Sequence, residues 1–183
     1  MKEPWKELEA GRTALLQLQP CIRGEVSPAA HVLGVLELGE GSVVLPGTVI
    51  EGHVRIGRGC RIGPNAYLRG ETRIGNDCII GNAVEVKSSL LGDKVFVSHL
   101  SYIGDSIIRD DVNVGGGCIF SNFRHDAGEI RMPWQGELCP TGRNKLGCVV
   151  GEGCRIGCKC VILPGRVLPA GSWTSPGSVI SGA

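Results

Sequence analysis

The sequence has little of what most protein cores are anchored by: three Trp, two Tyr and three Phe in 183 residues. With 29 glycines and 42% apolar residues, the interior has to be built from small and aliphatic side chains, which suits a repeat architecture better than a sandwich. Charge of one sign is also missing. Nineteen basic and eighteen acidic residues leave a formal net charge of +1, so no global field draws nucleic acid or an anionic membrane, and an anionic ligand must be held by local charges. No apolar run approaches the roughly 18 residues of a membrane span, and Met1-Lys2-Glu3-Pro4-Trp5 lacks a signal-peptide core. The expectation is a cytoplasmic protein whose nine cysteines are free thiols rather than a disulfide framework.

What is present is a period of six. Aliphatic residues recur at Val32, Leu38, Val44, Ile50, Ile56, Ile62, Leu68, Ile74, Ile80 and Val86. Neither the helical period of about 3.6 nor the strand period of about 2 yields this, whereas a triangular coil with one hexapeptide per face does. The sequence predicts an all-β fold, a left-handed parallel β-helix of hexapeptide repeats. Glycine follows the aliphatic residue at Gly57, Gly63, Gly75 and Gly81, read as corner marks. Val54, Cys60, Ala66, Thr72, Cys78 and Val84 form a second, small inward column.

The phase shortens by one residue at Leu91 and again at Ile108, and returns from Val150 through Ile156, Ile162 and Leu168. Residues 121–149 keep no phase and are expected to be an inserted, functional loop. Residues 1–20 read as a short amphipathic helix with Trp5, Leu8, Leu15, Leu16 and Leu18 on its apolar side, capping the open end of a β-helix domain over 21–183. Flat lateral faces of such coils invite association, and a homotrimer is the expected assembly.

Cys60, Cys78, Cys118, Cys148, Cys154 and Cys160 fall in the inward small-residue column, so core packing is preferred over a metal cluster, although Cys154, Cys158 and Cys160 lie close together. Cys158 follows Gly157, should face outward and could line a cleft.

Residues eighteen apart stack in adjacent coils, which puts Arg69 and Lys87 in one column above Glu51. At about 5 Å two such cations repel by about 3 kcal/mol, so they splay or hold an anion, and phosphate is the natural candidate. His99 lies between the two phase slips, with Gly116 of Gly115-Gly116-Gly117 in the next coil. An imidazole beside an unobstructed backbone N–H is what acylation of an amine by a thioester requires: a base for the ammonium proton and a donor for the oxyanion. Asn113 and Asn122 add uncharged hydrogen-bonding groups.

Three stretches carry a resemblance: Gly81-Asn82-Ala83-Val84-Glu85-Val86-Lys87, His99-Leu100-Ser101-Tyr102-Ile103-Gly104-Asp105 and Asp111-Val112-Asn113-Val114-Gly115-Gly116-Gly117. They resemble the acetyltransferase half of the bifunctional glucosamine-1-phosphate acetyltransferase/N-acetylglucosamine-1-phosphate uridylyltransferase family. Asn122-Phe123-Arg124-His125-Asp126 and Thr141-Gly142-Arg143-Asn144-Lys145-Leu146-Gly147 resemble its archaeal-type branch. The resemblance implies His99 as general base, the Gly116 amide facing the thioester carbonyl, and Glu85 orienting His99. It also implies that Arg69, Lys87, Tyr102 and Asn113 contact an amino-sugar phosphate. Acetyl-CoA would lie in a cleft between subunits near Asn122, with Cys158 and Lys145 as further contacts, and no metal is needed. The family's lysines after Asp126 are replaced here by Gly128, Glu129 and Arg131. Arg131 is a substitute cation, although arginine and lysine are not interchangeable.

Uridylyl transfer is not expected, because no Gly-rich nucleotide signature precedes the repeats. A zinc-dependent anhydrase on this scaffold is disfavoured, since His31, His53, His99 and His125 lack the necessary pairing. Two readings stay open beside N-acetylation of glucosamine-1-phosphate: a different acceptor, such as galactosamine-1-phosphate or a nucleotide-linked amino sugar, and a non-catalytic scaffold for a separate nucleotidylyltransferase.

Overall fold

A computed structural model describes residues 3–181. Short strands pair in parallel, each with the strand one coil before and one coil after, and together they form three faces of a β-helix. The first face runs from Cys21–Ile22 through Leu90–Leu91 and Ile107–Ile108 to Val167–Leu168. The second runs from Glu25–Val26 through Phe96–His99 to Arg155–Ile156, and the third from His31–Val32 through Glu85–Lys87 and Tyr102–Gly104 to Val179–Ile180. The strands Val49–Ile56 and Tyr67–Ile74 run round the corner from the third face to the first.

The six-residue period becomes the core. Leu38, Ile50, Ile62, Leu68, Ile80, Val86, Leu91, Val97, Ile103, Phe120, Val150 and Ile162 are all fully buried, each contributing about 1.5–3 kcal/mol of hydrophobic stabilisation. Val32, at the open end, is 39% exposed. The cysteines expected in the interior are there: Cys60, Cys78, Cys118, Cys148, Cys154 and Cys160 are buried and unbonded to one another. They alternate with hydroxyls that serve the backbone, as where Ser106 Oγ accepts the Cys148 N–H at 3.1 Å and Ser101 Oγ accepts the Cys118 N–H at 3.1 Å.

Of the glycines after the aliphatic positions, Gly63 turns left-handed at φ +91°, as a corner mark should, whereas others have a different reason. Gly57 and Gly75 are points of closest approach between coils: a Cβ on Gly57 would stand 2.6 Å from the Gly75 carbonyl oxygen. The left-handed residue of each of those corners sits two positions later, at Gly59 and Asp77.

Both phase slips fall on one corner, between the third and first faces. Lys87 pairs with Arg69 and Leu90 with Arg73, so the upper coil makes the corner with one residue fewer. Lower coils use Gly52 and Gly70 there, at φ +89° and +68°, whereas Ser88 and Asp105 adopt φ +47° and +46° and are buried. The chain leaves the β-helix for its insertion from the same corner one coil higher, and rejoins the ladder where Ile107 N–H bonds the Cys148 carbonyl.

The insertion is not a structureless loop. Ile130–Trp134 and Glu137–Arg143 form an antiparallel hairpin, turned by Gln135 and Gly136 at φ +50° and +85°, as a two-residue hairpin turn demands. The helix spans Pro4–Leu15 and does not cap the open end of the coil. It lies along the first face, where Trp5, Leu8 and Leu15 pack with Leu90, Ile107 and Val149 of the coils and Ile130 and Met132 of the hairpin. Leu16 is 49% exposed, so it is not part of the apolar side. Covering the first face serves the helix better than covering an end, because that face presents outward Leu90, Ile107 and Val149 that no repeat neighbour buries. Glu7 grips Arg109 through two hydrogen bonds of 2.6 and 2.7 Å, and Glu9 meets Arg143 of the hairpin at 2.8 Å.

Candidate functional site

Two corners flank the third face, and each carries part of the expected site. His99 is exposed at the corner between the second and third faces. It stands one coil above Asn82 and one below Gly116, whose next neighbour N–H bonds the His99 carbonyl at 3.2 Å. Ser101 Oγ donates to the same carbonyl at 2.8 Å, and Leu100 turns the corner at φ +51° with its side chain 64% exposed. Above Gly116 comes Cys158, also exposed: the Lys159 N–H bonds the Gly116 carbonyl, and the Gly177 N–H bonds the Cys158 carbonyl. His99, Gly116 and Cys158 therefore form one column, with an empty position at its centre where a Cβ would meet little but His99 Cβ at 3.4 Å.

The Gly116 amide takes no part in the ladder, whereas His99 and Asn82 below it are a ladder pair. Prolines 46, 64 and 176, which have no N–H, occupy the same column in other coils, as the bond from Asn65 N–H to the Pro46 carbonyl shows. Among the described residues the Gly116 N–H has no backbone acceptor. A free donor next to an exposed imidazole can stabilise an oxyanion while the imidazole moves a proton.

The corner between the third and first faces carries the polar cluster. Lys87 Nζ lies 2.7 Å from Asp105 Oδ2, Asn122 Nδ2 donates to the same oxygen at 2.5 Å, and Arg12 of the helix reaches Asp105 Oδ1 at 3.4 Å. Arg12 also holds Glu71 at 2.8 Å. Gly104 leaves room for the Tyr102 ring to fold over the corner; a Cβ there would collide with Tyr102 Oη and come within 2.8 Å of Asn122 Nδ2. Burial, followed by the nearby Asp105 and Glu85 carboxylates, pushes the Tyr102 phenol above its usual range, so it stays a proton donor at neutral pH.

Arg69 and Lys87 do stack in one column, and they splay. Arg69 turns to Glu85, which it holds through Nε and a terminal nitrogen at 2.7 Å each, with its guanidinium 5.5 Å from the Tyr67 ring centre. Glu51, below Arg69 in the column, accepts a hydrogen bond from Tyr67, which raises the Tyr67 pKa. Glu85 is committed to Arg69, and among the described residues no side-chain hydrogen bond reaches the His99 imidazole, so the expected orientation of His99 by Glu85 is not seen.

The remaining expected residues are dispersed. Asn113 is exposed on the second face, paired in register with Phe96 and Arg155, round the corner from Tyr102. Asn122 belongs to the polar corner, while Cys158 belongs to the opposite one. Lys145 is exposed where the insertion rejoins the coil, bridged to Phe123. Arg131 stands on the hairpin, away from Arg69 and Lys87, and lines a cavity of about 440 Å³ together with Leu163, Pro164 and Arg166. Sequence reasoning assigned no role to Asp105, Arg12 or Arg166. Asp105 had a signal: it occupies the corner that lower coils turn with glycine, where a buried carboxylate needs partners.

A family model described as the GMPPB C-terminal domain matches residues 44–176. The bifunctional protein GlmU of Methanococcus aeolicus is 31% identical over 179 residues, covering 98% of this chain and 43% of the relative. A bifunctional sugar-1-phosphate nucleotidylyltransferase/acetyltransferase of Sulfurisphaera tokodaii is 39% identical over 99 residues, 54% of this chain and 25% of the relative. The chain thus spans less than half the length of these curated relatives. In fold, a Bacillus cereus protein classed as an acetyltransferase aligns with a TM-score of 0.52 at 18% identity, covering 81% of this chain and 70% of that one. By the match over 44–176, which takes in His99, Gly116, Lys87, Asp105 and Asn122, the chain belongs to the GMPPB C-terminal domain family and is related to the GlmU-type bifunctional proteins.

Proposed function

We propose that the chain is an acetyl-CoA-dependent N-acetyltransferase acting on an amino-sugar 1-phosphate, glucosamine-1-phosphate or galactosamine-1-phosphate, by direct transfer. The observation that carries this reading is the column of exposed His99 below the ladder-free Gly116 amide. His99 removes a proton from the substrate ammonium, and the freed amine attacks the thioester carbon. The Gly116 N–H receives the developing oxyanion. On collapse the C–S bond breaks and the proton held by His99 passes to the departing thiolate, while the acylated nitrogen gives up its second proton to the freed imidazole and from there to water. Tyr102, a neutral donor, binds sugar hydroxyls, while Arg69 and Lys87 reach the phosphate; Asn122, expected beside acetyl-CoA, is assigned to the sugar instead because it stands with Asp105 and next to Tyr102. Exposed Cys158 lines the thioester side, and Lys145 contacts the acetyl-CoA nucleotide.

Because Asn113 and the polar corner stand on different faces, one chain does not surround a substrate. A homotrimer, in which the second face of one copy meets the third face of another, completes the site. A cytoplasmic location fits the substrates named.

A second reading is favoured by the ion pairs. Arg69 and Lys87 each already hold a carboxylate at 2.7 Å, as they would in a scaffold that serves a separate nucleotidylyltransferase and binds no phosphate. The test is release of free thiol from acetyl-CoA by the purified protein with glucosamine-1-phosphate, galactosamine-1-phosphate and unphosphorylated glucosamine. Release that requires the phosphate supports the enzyme and ranks the acceptors, whereas no release with any amine favours the scaffold.

A further inference from the structure

The insertion builds a cavity that the chemistry at His99 does not use. The hairpin lies against the corner of the seventh coil, where Gly165, at φ +75°, packs directly under the Arg131 carbonyl and its own N–H bonds Gly147 at 2.6 Å. Between hairpin and coil a space of about 440 Å³ remains, within the range of about 300–1,000 Å³ that small-molecule sites occupy.

Its lining is of two kinds. Phe123, Leu138 and Leu163 give it apolar walls, and Phe123 and Leu138 are left 42% and 46% exposed. Arg124 is neutralised by Asp126 at 2.5 Å, but Arg131 and Arg166 have no acidic partner among the described residues. The Arg166 Nε is fully buried with no acceptor. A buried guanidinium donor without an acceptor is unfavourable in an empty cavity and is relieved by an anion. The cavity therefore supplies two cations at one side and flat apolar surface at the other. Its single carboxylate, Asp126, is taken by Arg124, and Ser121 and His125 are the other polar side chains of the lining, so the charge it offers a ligand is positive.

We propose that this cavity binds a phosphorylated nucleoside, with the base against Phe123, Leu138 and Leu163 and a phosphate on Arg131 and Arg166. Base stacking on an aromatic ring tolerates any base, and the guanidinium fork matches phosphate oxygens. Two sources carry this chemistry: the nucleotide end of a coenzyme A thioester, and a free nucleotide or nucleotide sugar acting as a regulator. The first deepens the acetyltransfer reading; the second stands without it.

The test is calorimetric titration of the full chain with adenosine 3′,5′-bisphosphate, UDP, GDP, adenosine and inorganic phosphate. At least one nucleotide is expected to bind tenfold or more tightly than either adenosine or phosphate. Arg131→Gln and Arg166→Gln are each expected to weaken it at least tenfold, and Phe123→Ala to weaken it several-fold. Competition by coenzyme A assigns the site to the thioester's nucleotide end, and persistence of nucleotide binding at saturating coenzyme A assigns it to a free nucleotide. The proposal is overturned if no nucleotide exceeds phosphate, or if Arg131→Gln, whose residue is exposed and whose unfolding temperature should match wild type, binds nucleotide unchanged. Since the readout is binding rather than thiol release, its outcome is separate from that of the turnover assay.

Discussion

Lys87 and Asp105 face each other across one coil, Nζ to Oδ2 at 2.7 Å, with the carboxylate side chain only 4% exposed. The same carboxylate holds Asn122 and the helix residue Arg12, so one buried acid ties the first helix, the β-helix corner and the start of the insertion together.

Removing that acid strands Lys87, only 20% exposed, and leaves Arg12 with Glu71 alone. Asp105→Ala should cost about 3–5 kcal/mol of stability, because breaking a buried pair strands its partners. The double variant Lys87→Met with Asp105→Ala should recover part of this loss. Denaturant unfolding checks both, and a loss below about 1 kcal/mol for Asp105→Ala would show that the pair is not formed in solution.

For His99, a base role and a binding role separate in the kinetics. His99→Ala should lower kcat by about 10²–10⁴ with little change in the Michaelis constant for the amine. Lys87→Ala should act the other way, raising the constant for the phosphorylated acceptor more than it lowers kcat. Turnover near wild type in the His99 variant would remove the base assignment.

Gly116 offers a substitution that deletes a backbone donor and keeps the fold. Proline already fills this column at positions 46, 64 and 176, so Gly116→Pro should unfold within a few degrees of wild type. It should nevertheless lose about 10²–10³ in kcat, the usual effect of removing one oxyanion donor. Gly116→Ala, which retains the N–H, should stay much closer to wild type. Equal losses in the two variants would point to crowding of His99 rather than to the amide.

The clamp between helix and first face responds to pH. Hydrogen bonding to Arg109 holds the Glu7 carboxyl below its ordinary value of 4.5. Its folded pKa is therefore lower than its unfolded one, so its contribution to stability is present above about pH 4.5 and lost as pH falls through the folded value. Melting temperatures between pH 6 and pH 3 should fall less steeply for Glu7→Gln than for wild type, and identical slopes would show that the clamp does not titrate.

Much of the scaffold could be read in the chain because its signal is local and periodic. A residue such as Ile62 or Leu68 declares its inward direction by spacing alone, and the slips before Leu91 and Ile108 locate the irregular corner. What the spacing does not carry is anything outside the repeat. The course of Pro4–Leu15 depends on which face has outward Leu90 and Ile107 to bury, and the hairpin at 130–143 depends on the turn at Gln135-Gly136 rather than on a period of six. In the site, columns placed Arg69 over Glu51 and under Lys87 correctly, but column order does not say which neighbour a long side chain selects. Tyr67 took Glu51, Glu85 took Arg69, and Asp105, unmarked by composition, took Lys87.

Away from the site the column of His99 and Gly116 is filled largely by proline, at 46, 64 and 176, so the free N–H at Gly116 belongs to one coil and is withheld in those others. The proposed chemistry is confined to one storey by its furnishing: an imidazole on the floor below, a vacant side-chain position at 116, and a thiol overhead. An acylation centre on such a prism could be moved up or down by a whole coil through exchange of a few corner side chains, with the strands, core and register left as they are.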